Sequence, residues 1–279
     1  MPVEDAAAGF VTRRVDRWRH GIATHADDCV AEEMPIAMIY NGVSFAVMMA
    51  TPHDLRDFAL GFSLSEGLID APEQLLDVQV QTLLEGIELA IRVVPDAHAA
   101  HLDRAHERLL PGRSGCGICG TRDLEQAIRQ NPPVGAGSVL THDALEHALA
   151  ELQLRQPMNA ATGAVHAAAW ADSNGNILLV REDVGRHNAL DKLIGAMRRA
   201  DVDPNAGMAL VTSRASYEMV TKSASAAITV LAAISAPTAL AIELARSAGI
   251  TLIGFTRPGS HNIYTHPDRL VPARTRELP

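Results

Sequence analysis

The sequence predicts an α/β protein with a smaller α+β region ahead of it, and three observations carry that expectation. From about residue 162 onward, short aliphatic runs alternate with segments of helical periodicity. In the first hundred residues, two strand pairs are separated by turn dipeptides. Apolar residues make up 47% of the 279 positions but aromatics only 4%. Alanine, leucine and valine must therefore fill the core, which suits helices laid on a sheet.

The elements follow in order. Residues 35–40 and 43–48 flank Asn41-Gly42, a hairpin with a type I′ turn. Thr51-Pro52 should open a helix, Thr51 capping and Pro52 at the first helical position. Its apolar residues Leu55, Phe58, Ala59, Phe62 and Leu68 keep helical spacing. A second strand pair, 78–84 and 87–94, surrounds Glu85-Gly86, and 96–109 reads as a helix. After a thiol-bearing loop come helices at 122–130 and 141–154. The hairpin 164–170 and 177–181 then leads into helix 186–199, strand 208–212, helix 217–227, strand 229–234, helix 237–248 and strand 250–255. A hairpin followed by such alternation implies a three-layer arrangement with a mostly parallel sheet. The expected organisation is an arm over 1–34, an α+β region over 35–110, the thiol loop over 111–121, and an α/β domain over 122–279 that carries the ligand site.

Composition narrows the function classes. The net charge is −9, which argues against nucleic-acid binding. No apolar run is long enough for a membrane span, and the N-terminus lacks the shape of a signal peptide. Three cysteines, two in one short motif, fit a reducing compartment. A soluble, cytoplasmic protein is expected. The basic run Arg13 to His20 reads as an exposed arm or a docking segment, and Cys29 as a bystander.

The most informative stretch is Ser114-Gly115-Cys116-Gly117-Ile118-Cys119-Gly120. It sets two thiols three positions apart among glycines, with Arg113 and Arg122 beside them. Thr121 would cap the next helix, so the thiols would sit at a helix N-terminus, where the reactive thiolate is favoured. Structural zinc needs four ligands, and no second C-x-x-C accompanies this one. A thioredoxin-like motif should follow a strand, whereas this one follows Leu109-Leu110-Pro111-Gly112. A purely structural disulfide across so small a ring would constrain little.

Ligands of an open α/β sheet bind beyond the carboxyl ends of its strands. Three predicted strand exits carry arginine with glycine or hydroxyl residues: 181–188 with Arg186 and His187, 212–217 with Arg214, and 254–262 with Arg257. Arginine forks and helix N-termini hold phosphate, so the three loops suggest a large ligand with several phosphates. More ordinary roles stand beside this one. Arg181-Glu182-Asp183 could be an ion-pair cluster, Asp191-Lys192 a solvated helix face, Lys222 a surface lysine, His187 a packing or capping residue, and Arg257-Pro258-Gly259 a plain turn. Zinc nucleobase deaminases use H-x-E before P-C-x-x-C. Here Ala168 stands two after His166 and the cysteines come first, so that chemistry does not fit. His166 is left as a proton donor, a ligand contact or a buried strand histidine.

Together these segments resemble the FdhD family, the formate dehydrogenase accessory sulfurtransferases. The resemblance rests on the thiol motif, Thr162 to Ala168, the run Arg181-Glu182-Asp183-Val184-Gly185-Arg186-His187-Asn188-Ala189-Leu190-Asp191-Lys192, Ser213 to Val220, and Gly254-Phe255 with Arg257. Ala164 departs from the second glycine of a T-G-G. The resemblance implies a cytidine-deaminase-like fold and a cytoplasmic homodimer. It implies a sulfurtransferase that takes persulfide sulfur from a cysteine desulfurase and passes it to the molybdenum bis-guanine-dinucleotide cofactor, bound as substrate, for formate dehydrogenase. Cys116 would carry the persulfide, Cys119 would assist, and Phe255, Thr256, Arg257, Pro258, Gly259 and Ser260 would contact the guanine nucleotide, with no metal held by the protein itself. A cofactor-binding chaperone and a thiol-disulfide oxidoreductase are the alternatives.

Overall fold

The computed structural model describes residues 9–102 and 133–272. Two β-sheets with separate cores organise them, joined through one helix pair.

The first sheet has the order β4-β3-β6-β5, formed by β3 (Met34–Tyr40), β4 (Val43–Ala50), β5 (Leu75–Thr82) and β6 (Ile87–Val93). Asn41 and Gly42 both take positive φ, 47° and 85°, as a type I′ turn requires. Alternation turns Ile36, Met38, Tyr40, Leu89 and Ile91 toward α1 (Leu55–Ser65), whose Phe58, Ala59 and Phe62 complete that core. The helix starts later than Thr51-Pro52 suggests, with Asp54 at the N-cap in a left-handed conformation, φ 53°. Thr51 is committed elsewhere: its amide, carbonyl and hydroxyl bond Asp183, Lys192 and Val184.

The second sheet has the order β13-β12-β11-β10-β8-β9, from β8 (His166–Asp172), β9 (Ile177–Asp183), β10 (Gly207–Val211), β11 (Val230–Ala233), β12 (Thr251–Arg257) and β13 (Ser260–Ile263). It is mixed, where a mostly parallel one is expected. Only β10–β11 and β11–β12 pair in parallel, while β8–β9, β8–β10 and β12–β13 are antiparallel. Hairpins at both ends cause this, since a strand that returns through a tight turn must run antiparallel. The exit loop expected over 254–262 instead turns back within it, and residues 260–263 supply the outer strand β13.

Alternate side chains divide the second sheet between two cores. Ala168, Trp170, Val211 and Leu231 face α4 (Arg186–Arg199), α5 (Tyr217–Ser225) and α6 (Ala239–Ala248). Ala167, Ala169, Leu210 and Ala232 face α2 (His142–Leu154). The short α3 (Pro157–Thr162) precedes β8. Two-residue strands β7 (Leu140–Thr141) and β14 (Leu270–Val271) pair beside α2.

The two halves meet where α1 lies on α4. Gly61 abuts the Asp191 carbonyl and Gly195 abuts the Asp57 carbonyl, each too closely for a Cβ. Around this contact, Asp57 accepts from Arg181 (2.6 and 2.8 Å) and Arg199 (2.7 Å).

Residues 10–31, expected as an arm, form a two-stranded ribbon of β1 (Phe10–Arg19) and β2 (Ile22–Ala31). Its register sets Arg13 opposite Asp28 and Arg14 opposite Asp27. The contacts made across the ribbon, Arg17–Asp28 at 3.1 Å and Asp16–His25 at 2.6 Å, support a strand that lacks hydrophobic alternation. The expected helix at 96–109 is a 3₁₀ turn over His98–His101 as far as it is described. The helix expected at 122–130 lies outside the described residues.

Candidate functional site at the sheet edge

Strands β9, β10, β11 and β12 run the same way, so their carboxyl ends share one edge of the sheet, and antiparallel β8 begins there. Backbone bonds stitch the exits side by side. Thr212 N donates to Ala167 O, Ile234 N to Val211 O, Ser235 N to Ser213 O, and Phe255 N to Ser235 O. Four strand spacings separate β9 from β12, about 19 Å at ~4.8 Å each. That span suits a dinucleotide better than a small metabolite.

At one end of the edge, β9 passes directly into α4. Asp183 is fully buried and governs this exit: Oδ1 accepts from Gly185 N (2.7 Å) and Asn188 Nδ2 (3.0 Å), while Oδ2 accepts from Thr51 N (3.0 Å) and pairs with Lys192 at 2.6 Å. Glu182 turns back and accepts from the Met158 and Asn159 amides at the start of α3. The exit is therefore rigid. On it, Arg186 Nε is buried without a hydrogen-bond partner among the described residues, and His187 lies 2.7 Å from Glu218 on α5. Next to them His166 is half-buried. Its pKa is lowered, by burial first and then by Arg186 and His187, which favours the neutral ring, the form able to accept a hydrogen bond.

The neighbouring exit, after β10, carries Ser213, Arg214 and Ser216. Arg214 is exposed. Ser216 is the N-cap of α5, yet its hydroxyl caps nothing and has no hydrogen-bond partner among the described residues. Buried polar atoms are ordinarily satisfied. Two orphans, Arg186 Nε and Ser216 Oγ, at two helix N-termini form a donor set suited to an anion.

At the far end, Phe255 is half-exposed with φ 52°, beside a register shift between Gly254 and Arg257. A non-glycine residue is strained there. Thr256 faces inward and donates to Ala233 O at 3.0 Å. Arg257, exposed, donates to the Ile234 and Thr256 carbonyls. Pro258, Gly259 and Ser260 form the exposed turn into β13.

Two expectations are overturned. Asp191-Lys192 is no solvated face: exposures are 1% and 0%. Nor is Lys222 a surface lysine. It is buried and bonds Asp191 (2.9 Å), Glu66 (2.9 Å) and Ser65 (2.9 Å). Burial opposes its charge, but the two carboxylates outweigh that and push its pKa above the usual lysine value. These residues lie where α1, α4 and α5 converge, so facing outward on a helix wheel meant facing another helix. Glu218 escaped notice as the partner of His187 because only the packing of α4 against α5 joins them. Cys116 and Cys119 lie outside the described residues. Among the described residues no group of three His, Cys, Asp or Glu could hold a metal, and no helix is long and apolar enough to cross a membrane.

A crystal structure from Desulfotalea psychrophila, described as a candidate formate dehydrogenase accessory protein, superposes with a TM-score of 0.77 over 94% of this chain and 100% of its own, at 24% identity. It shows the fold. A protein of Xanthomonas euvesicatoria pv. vesicatoria named sulfur carrier protein FdhD is 59% identical over 262 residues, covering 94% of this chain and 92% of its own. One of the same name from Cupriavidus necator is 51% identical over 274 residues, covering 96% and 94%. The FdhD/NarQ family model matches residues 31–271, and so takes in both sheets and the whole polar edge between Arg186 and Ser260. On that breadth of match, the chain belongs to the FdhD/NarQ family.

Proposed function

We propose that this chain is a cytoplasmic sulfur carrier that takes sulfur from a cysteine desulfurase and delivers it to the molybdenum bis-guanine-dinucleotide cofactor of formate dehydrogenase. The observation that carries the reading is the sheet edge, about 19 Å long. It presents Arg186 Nε at one end and Ser216 Oγ midway along, both without hydrogen-bond partners among the described residues, and the exposed turn at 257–260 at the other end. An acidic chain that leaves such donors unsatisfied is suited to a polyanion. The names of its relatives supply the sulfur.

The chemistry needs a thiolate at Cys116. It attacks the outer sulfur of the donor persulfide, one S–S bond forms as another breaks, and the donor leaves as a thiolate. Delivery of that sulfur as sulfide requires two electrons. Attack of the Cys119 thiolate on the inner sulfur supplies them, releasing hydrosulfide toward the cofactor and leaving a Cys116–Cys119 disulfide for a cellular dithiol to reduce. Arg186, His187, Arg214 and residues 255–260 would bind the cofactor, with neutral His166 as a hydrogen-bond acceptor. Assembly as a homodimer and the deaminase-like layering belong to the same proposal.

Intact-mass analysis after incubation with a cysteine desulfurase and cysteine tests it. A gain of one sulfur on the peptide holding Cys116 and Cys119, abolished by Cys116→Ala, is expected. An unchanged mass, with cofactor still co-purifying, would favour a cofactor chaperone. Turnover of generic disulfides without a desulfurase would favour an oxidoreductase.

A further inference from the structure

The turn between β12 and β13 is anchored from outside the sheet by α2. Gly259, at φ 74°, donates its amide to Glu146 Oε2 at 3.0 Å. Two residues on, His261 meets His142 in the first turn of α2. Their ring nitrogens, Nε2 and Nδ1, lie 2.8 Å apart, and the rings stack with centroids 4.9 Å apart. The other nitrogen of His261, Nδ1, is buried without a hydrogen bond among the described residues and faces Glu146 Oε1 at 3.9 Å.

Electrostatics selects the tautomers. Two ring nitrogens 2.8 Å apart share one proton. Were it on His261 Nε2, the bare lone pair of Nδ1 would face a carboxylate, acceptor against acceptor. With the proton on His142 Nδ1, His261 Nε2 accepts and its protonated Nδ1 lies on the side of Glu146, 3.9 Å from Oε1. His142 thus donates to His261, whose far side lies within ion-pair distance, though not hydrogen-bond distance, of the carboxylate whose other oxygen accepts from Gly259. A further proton on His261 Nε2 would make that ring an imidazolium and set its N–H against the His142 N–H, donor against donor, beside a helix N-terminus that disfavours cations. The pKa of His261 is in keeping with this. It is lowered by burial and then by His142, with Glu146 opposing. Glu146 and His142 are the titratable groups that face it from α2, while Arg257 at the end of β12 is engaged at the Ile234 carbonyl.

We infer that Glu146, oriented by the His142–His261 pair, is a positioning residue for the Pro258-Gly259 turn, and holds it in place only while that pair shares a single proton. The role of the turn in nucleotide binding rests on the function proposed above; the anchor itself does not.

The test titrates GDP into the full chain by calorimetry and follows amide exchange over residues 259–263. Glu146→Ala should weaken GDP about tenfold and speed exchange at Gly259. Glu146→Gln retains an oxygen for the Gly259 amide and should return affinity at pH 8 to within about twofold. As pH falls from 8 to 5, exchange corrected for its intrinsic pH dependence should rise in the unaltered chain, and His142→Ala should lose most of that response. Exchange at Gly259 unchanged in Glu146→Ala, or indifferent to pH in the unaltered chain, would overturn the inference. Equal GDP affinity in Glu146→Ala and the unaltered chain would remove the positioning role and leave the nucleotide site standing. No GDP binding by the unaltered chain would instead sink the nucleotide assignment, and exchange alone would decide the anchor.

Discussion

Asp183 and Lys192 form an ion pair of 2.6 Å with neither side chain exposed to solvent. The pair closes the strand exit that carries Arg186 and binds it to Thr51, the residue after β4, since Lys192 also donates to the Thr51 carbonyl at 2.9 Å. Removing one partner strands a buried charge. Asp183→Ala should therefore cost about 3–5 kcal/mol, read as a lower urea midpoint. Asp183→Asn with Lys192→Met should recover part of that loss, because no unpaired charge remains.

The approach of α1 to α4 depends on two glycines. A methyl group on Gly61 or Gly195 would collide with backbone, at the Asp191 and Asp57 carbonyls, and backbone cannot swing aside as a side chain can. Either change to alanine should destabilise by about 3 kcal/mol. Thermal unfolding checks it, and a midpoint unchanged within a degree would refute the packing.

Arg186 makes the opposite prediction. Its Nε bonds nothing among the described residues, so Arg186→Met should leave the unfolding free energy, read from urea curves, within ~0.5 kcal/mol of the original. GDP affinity should fall about tenfold, the loss expected for one charge-assisted hydrogen bond. A loss of stability without loss of affinity would mean that the arginine serves the fold.

His166 gives the pH dependence a sign. Its folded pKa is lowered, by burial ahead of Arg186 and His187, so on acidification the unfolded chain takes up the proton first. Its contribution is complete above the unfolded value of about 6.5 and is lost as pH falls below it. His166→Gln should flatten the acid side of stability in that window. Urea midpoints between pH 8 and 5 would show it, and parallel curves would exclude it.

Local patterning was enough for much of this fold. Asn41-Gly42 announced its hairpin because type I′ geometry admits few other residues. Arg186 to Arg199 read as a helix with the bounds it has. The polar strand exits stood out because arginine beside glycine and hydroxyls is unusual after an aliphatic strand. The ribbon at 10–31 escaped the reading because its charged pairs become visible only once a register is known.

By itself, then, the sequence determined the alternating elements from residue 166 to 255 and the edge at which polar groups gather, both of which follow from periodicity and short-range chemistry, and its motifs carried the resemblance to the family. Tertiary structure alone decided which charges are buried and with whom. Asp191 meets Lys222, Lys192 meets Asp183, and His261 meets His142 across gaps of 31, 9 and 119 residues. The cause is geometric: a helix face that looks polar on its own is interior once a third element packs on it, and the pairing that makes such burial tolerable depends on where that element arrives.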